Sequence, residues 1–163
     1  MNNALATDLY AIGKAHALAS CLLHRASLEE AERRAVTDRA RYAFNGPFSL
    51  STQYLLGLGI ELLLKSAIMA WDSQVDADYL RNEIGHDLLT ALDQAELRGL
   101  TTETAGLRKI VEVLRKPYKK NWLRYECPQE IDLPADFDDV AATLTILTNE
   151  VASKLGFVEE IAS

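Results

Sequence analysis

The chain has 163 residues, 48% hydrophobic side chains and a formal net charge of −7. This length suits one domain with a single core, and the apolar fraction excludes an intrinsically disordered chain. The acidic charge disfavours nucleic-acid binding through the overall field, although a local basic patch could still bind phosphates.

Helical periodicity dominates the N-terminal third of the sequence. Apolar residues predict a first helix from about Ala4 to His24. The sequence Ser27-Leu28-Glu29-Glu30 has the capping-box pattern, which predicts that a second, highly charged helix starts there. Asn45-Gly46-Pro47 is expected to end that helix. The N-terminus lacks the pattern of a signal peptide, and we expect a cytoplasmic protein.

A nearly continuous apolar stretch, residues 54–71, follows. It predicts a buried central helix that begins near Ser49 or Ser51. Gly57 and Gly59 weaken its helical propensity, and we expect them to allow close approach of a neighbouring helix. The stretch has about the minimum length of a membrane span. Its two central charges disfavour one, so we expect no membrane association.

The second half of the chain predicts three more helices. Gly85-His86-Asp87-Leu88 opens one helix, with Asp87 at the positive end of its dipole. Thr101 or Thr102 is expected to cap the next, which should stop at Pro117. The last should end at Gly156. The sequence therefore predicts an all-α, up-and-down bundle of five to six helices in a single domain, residues 1–163.

Glu61 and Lys65 are the two charges in the central helix, and they lie four residues apart on one face. They have two interpretations. They form either a polar pair that holds a loop, a partner helix or a ligand, or an ordinary ion pair at the edge of a buried helix.

Arg81 and His86 are candidate catalytic residues. A histidine can transfer protons and an arginine can stabilise phosphate charge, which together would serve RNA cleavage. The alternative is a structural histidine at a helix start, with an unrelated arginine in the preceding loop.

Residues 108–125 form the basic region of this acidic chain. Its cations can bind phosphates and its aromatic side chains can stack on bases, whereas the alternative is a solvated basic face with inward aromatics. The candidate binding residues here are Lys116, Lys119, Lys120, Trp122, Arg124 and Tyr125.

Known cofactor and metal motifs are not found. The two cysteines form no C-x-x-C pair, and the histidine and cysteine spacing in the first helix does not match a common zinc site. Phosphate-binding loops, nucleophile elbows and dinucleotide fingerprints are also missing. We expect neither a metal nor a cofactor.

Three segments together resemble the HEPN-like family of helical domains. They are the E-x-x-x-K pattern of Glu61 and Lys65, the helix start at Gly85-His86-Asp87-Leu88, and the late Arg124-Tyr125. Their order matches the family over roughly residues 49–155. The resemblance implies a helical bundle, often a homodimer, that occurs in toxin–antitoxin or defence systems.

Active members of that family are metal-independent ribonucleases with an R-x(4–6)-H motif on a late helix. Arg81 and His86 have this spacing, but they precede the helix that opens at Gly85-His86-Asp87-Leu88 instead of lying on a late helix. The resemblance therefore favours a non-catalytic domain that binds RNA, a nucleotide or a protein partner. The alternatives are a ribonuclease that uses Arg81 and His86, and a purely structural dimerisation module.

Overall fold

A computed structural model of the chain describes residues 2–101, 104–119 and 136–157. Every regular element in these ranges is helical, which confirms the all-α class for this part of the chain. In chain order the elements are α1 (Asn2–Arg33), α2 (Arg39–Asn45), α3 (Ser49–Trp71), α4 (Ala77–Tyr79) with a π-helical turn at Leu80–Ile84, α5 (Leu88–Leu97), α6 (Thr104–Lys119) and α7 (Phe137–Leu155).

Helix α1 is longer than predicted, and the prediction that a second helix starts at Ser27 is wrong. The Ser27 hydroxyl donates to the Leu23 carbonyl 2.9 Å away, inside a continuous helix. No glycine or proline separates the two predicted helices, so nothing in the backbone interrupts the helix there. The break comes later, where Ala35 adopts a φ of 51° and Asp38 caps α2 by accepting from the Arg41 amide.

Helix α3 forms the centre of the core, as its apolar sequence predicts. It begins at Ser49 and ends at Trp71, and Leu56, Ile60 and Leu64 are completely buried. By length and composition α3 could also cross a membrane, but most of its apolar stretch is covered by the other helices. Burial by protein is what an apolar core helix requires.

Helices α1 and α3 are antiparallel and in close contact. The Ser66 hydroxyl donates to the Ala6 carbonyl at 2.7 Å, and Gly59 packs against Ala17 further along both helices. A Cβ atom at Gly59 would lie 2.8 Å from the Ala17 nitrogen, so the missing side chain permits the approach. The expected role of Gly59 in helix contact is thereby confirmed.

Helix α5 departs from strict up-and-down alternation, because it runs in the same direction as α3. Its N-terminal neighbour His86 contacts Glu61, and Gly99, just beyond its C-terminus, packs against Trp71. The segment 72–87 therefore returns along α3 before α5 begins. The predicted start of α5 after Asp87 is confirmed, and the helix ends at Leu97, before Gly99.

Helix α6 continues through Pro117 to Lys119, so the predicted stop at Pro117 is wrong. A proline in the last turn removes few backbone hydrogen bonds, and the buried Tyr118 ties this turn to α3. Helix α7 ends as predicted, with Gly156 in the left-handed conformation at a φ of 82°.

Candidate functional site

A buried carboxylate, Glu61, lies at the centre of the candidate site. Its side chain is only 2% exposed. Lys65 donates to Oε1 at 2.6 Å and the Tyr118 hydroxyl donates to Oε2 at 2.7 Å. The i, i+4 spacing on α3 places Lys65 beside it, and α6 supplies the tyrosine. Burial of a carboxylate is costly, and these two donors offset that cost.

His86 is the third contact of Glu61. Its Nδ1 atom lies 3.2 Å from Oε1 and 3.1 Å from Oε2, whereas 73% of the histidine side chain is exposed. Glu61 thus joins Lys65, Tyr118 and His86 in one cluster. A carboxylate that accepts from Nδ1 fixes the tautomer and orients the ring, which leaves Nε2 to interact with a ligand.

The backbone before His86 explains how it reaches Glu61. Leu80–Ile84 forms a π-helical turn, a rare element that is frequent at functional sites. Gly85 ends it with a φ of 58° and a ψ of −126°, a combination that residues with a side chain rarely adopt. The glycine therefore turns the chain from the π turn towards the start of α5.

Asp87, next to His86, fixes the other side of this turn. Its Oδ1 atom accepts from the Leu89 and Thr90 amides and caps α5. Arg115 on α6 binds the same carboxylate, with Nη2 2.9 Å from Oδ2. This hydrogen bond raises the pKa of the Arg115 guanidinium. Glu61, which contacts His86, and Asp87, its chain neighbour, are thus both anchored to α6.

A groove with a volume of about 400 Å³ opens beside this cluster. Helices α1 and α3 contribute apolar walls, and the π turn closes the groove on the side of Arg81 and His86. Its lining residues are Leu5, Leu9, Leu62, Lys65, Ala77, Leu80, Arg81, Gly85 and His86. None of these residues is acidic, although the chain as a whole is.

Arg81 is the most accessible cation of the groove. Its guanidinium contacts Asp78 at 3.0 Å, and both side chains are about three-quarters exposed, at 73% and 75%. An exposed ion pair of this kind contributes little free energy, so a ligand anion can replace Asp78 at low cost. The structure brings both candidate catalytic residues, Arg81 and His86, to the same groove.

The basic region of residues 108–125 is less available for ligands than its sequence predicted. Arg108 pairs with Asp93 and Glu96. Arg115 pairs with Asp87, as described above. Tyr118 is buried, so it does not offer a ring face for base stacking.

Several candidate binding residues cannot be placed in the site. Lys116 is exposed on α6 and does not line the groove. The side chain of Lys119 and all of Lys120, Trp122, Arg124 and Tyr125 lie outside the described residues. Their role stays a prediction. In the described part of the chain, no group of three or more His, Cys, Asp or Glu side chains could hold a metal ion.

Three residues of the site, Tyr118, Leu5 and Leu9, have no local signal in the sequence. Tyr118 meets Glu61 from 57 positions away. Leu5 and Leu9 reach the groove only because α1 packs antiparallel to α3. No periodicity or motif encodes such long-range contacts.

Comparison with known proteins gives no family assignment. No protein-family model, curated protein or solved structure matches this chain.

Proposed function

We propose that this chain is a non-catalytic HEPN-like domain that binds the phosphate of a nucleotide or of RNA in the groove beside His86. The observation that carries the proposal is the position of Arg81, beside His86, at a groove with no acidic side chain among its described lining residues. The exposed Arg81 guanidinium can exchange its weak contact with Asp78 for a phosphate, even on an acidic protein.

The groove also suits the uncharged part of such a ligand. Leu5, Leu9 and Leu80 form apolar walls next to the cations. Ligand sites in proteins usually combine walls of this kind with a few polar groups that orient the ligand. A base or ribose would contact the leucines while Arg81 binds the phosphate beside His86.

The proposal is tested by fluorescence anisotropy with labelled single-stranded RNA between about 50 and 200 mM salt. Affinity should fall with salt, and Arg81→Ala should weaken binding and reduce the salt slope by about 0.7, the value for one contact on a single strand. Arg33→Ala is the matched control. Arg33 is exposed and does not line the groove. It lies roughly 36 Å from Leu9 along α1, at 1.5 Å per residue.

Two outcomes would count against this site. Absence of binding at low salt, to RNA and to nucleotides alike, would remove the proposal. Loss of binding in Lys119→Glu/Lys120→Glu, with Arg81→Ala unaffected, would move the phosphate site to the basic region.

A metal-independent ribonuclease is the second candidate, and one contact favours it. Glu61 orients the exposed His86 as a carboxylate orients a catalytic histidine, and Arg81 lines the same groove. End-labelled RNA incubated with EDTA should then be cleaved by the native chain but not by His86→Ala. No cleavage, or equal cleavage by the variant, would eliminate this candidate and leave the binding function.

A further inference from the structure

The outward side of α1 carries an apolar face that the described residues leave exposed. Leu18 and Leu22 are 56% and 61% exposed. Ala11 and Ala15 precede them on the same face, at helical spacing, and are exposed as well. We call these four residues the outer face of α1. Two large aliphatic side chains one turn apart on an exposed helix face indicate a docking surface.

The spacing of this face is that of a helix–helix contact. Asp8, Ala11, Ala15, Leu18, Leu22 and Arg25 follow one another at alternating intervals of three and four residues, and all six are exposed. This alternation keeps one line of side chains towards a partner helix over several turns. Asp8 and Arg25 stand at the two ends of the line.

The face is complementary to itself when two copies are antiparallel. With the twofold axis between residues 16 and 17, each Ala15 faces Leu18 of the other copy. Each Ala11 then faces Leu22, so that a small side chain meets a large one throughout. In the same register the acidic Asp8 faces the basic Arg25 at both ends. A twofold interface requires self-complementarity of this kind.

We propose that a second copy of this chain binds the outer face of α1, antiparallel and in this register. The charges select the arrangement, because a parallel pair would place Asp8 against Asp8 and Arg25 against Arg25. In the described part of the chain neither side chain has an ion-pair partner. The proposal concerns a surface other than the groove and requires no ligand there.

Sedimentation velocity of the full chain over a concentration series measures the dimer. Leu18→Glu and Leu22→Glu should each raise the dissociation constant about tenfold or more, since each places two charges in the apolar contact. Leu97→Glu is the matched control, because Leu97 is 77% exposed on α5. It should leave the dissociation constant unchanged. A native chain that stays monomeric at tens of micromolar would overturn the proposal.

Charge reversal tests the register independently. Asp8→Arg and Arg25→Asp should each weaken the dimer by about fivefold to tenfold. Each change removes two exposed ion pairs, one at each end of the interface, because the dimer is twofold symmetric. The double variant Asp8→Arg/Arg25→Asp restores opposite charges in the antiparallel register and should return to within about twofold of the native value. A double variant as weak as the single ones would exclude this register.

Discussion

Tyr118 donates its hydroxyl to Oε2 of Glu61 at 2.7 Å, and both side chains are buried. This hydrogen bond joins the last turn of α6 to the middle of α3. It satisfies the carboxylate on the side opposite Lys65 and so helps to hold the oxygens that contact His86.

Tyr118→Phe removes this donor without changing the ring. We expect a loss of about 1–3 kcal/mol in the free energy of unfolding, because a buried carboxylate oxygen loses the shorter of its two hydrogen bonds. Urea denaturation followed by circular dichroism measures it. Tyr42→Phe is the matched control, since the buried Tyr42 hydroxyl has no hydrogen-bond partner among the described residues. It should leave stability unchanged or raise it, and equal losses in both variants would contradict the account.

The Glu61–Lys65 pair should show strong coupling. Glu61→Leu leaves the Lys65 ammonium buried without its carboxylate and should cost about 3–5 kcal/mol. Adding Lys65→Met should recover part of that loss, because no unpaired charge remains. A double-mutant cycle in urea gives the coupling energy. Glu30–Arg34 has the same spacing but is more exposed, and its coupling energy should be much smaller. Equal coupling energies for the two pairs would contradict this expectation.

His24 should make stability depend on pH. It is buried in a stack on Phe137, with ring centroids 3.9 Å apart, and burial lowers its pKa from 6.5 while Asp138 opposes the shift. The folded state therefore binds fewer protons than the unfolded state below pH 6.5, so the contribution of His24 is complete above that value and is lost as pH falls through the lowered pKa.

Urea midpoints between pH 5 and 7.5 test this titration. His24→Phe keeps an aromatic ring on Phe137 and should reduce the pH dependence in this window. His16→Gln, a change at a half-buried histidine of the same helix, serves as the control. If the two variants have equal pH profiles, the titrating group is not His24.

Gly59→Ala should destabilise the contact between α1 and α3. The new methyl group would lie 2.8 Å from the Ala17 nitrogen, so the two backbones would have to separate. Overpacking of this kind costs about 1–3 kcal/mol. In Gly106→Ala the methyl group meets a side-chain hydroxyl, that of Thr143, at 3.3 Å, and higher helical propensity should make the change neutral or stabilising. Thermal denaturation compares the two variants. An unchanged melting temperature for Gly59→Ala would contradict the predicted close contact of α1 and α3.

The sequence predicted those parts of the fold that local patterns control. The apolar run predicted α3, and the glycines at 85 and 156 marked real boundaries of elements. It failed at Ser27, where a capping pattern lies inside a continuous helix, and at Pro117, where a tertiary contact keeps the last turn helical.

The candidate site was predictable only in part. The spacing of Glu61 and Lys65 placed both on one face, and the helix start placed His86 at the end of a loop. The contact between His86 and Glu61 depends on how distant parts of the chain pack. The same holds for the contact of Tyr118 with Glu61 and for the pairing of Arg115 with Asp87. Local periodicity carries no information about those distances.

A titration of the ¹⁵N-labelled chain with a nucleoside monophosphate, followed by ¹H–¹⁵N correlation spectra, tests the central claim most directly. The account predicts that the His86 imidazole and the backbone amides of residues 80–86 shift in a saturable way, whereas those of residues 144–152 on α7 do not. Arg81→Ala should weaken the response. A titration without shifts in the groove, or with shifts confined to another surface, would contradict the claim that this groove binds phosphate.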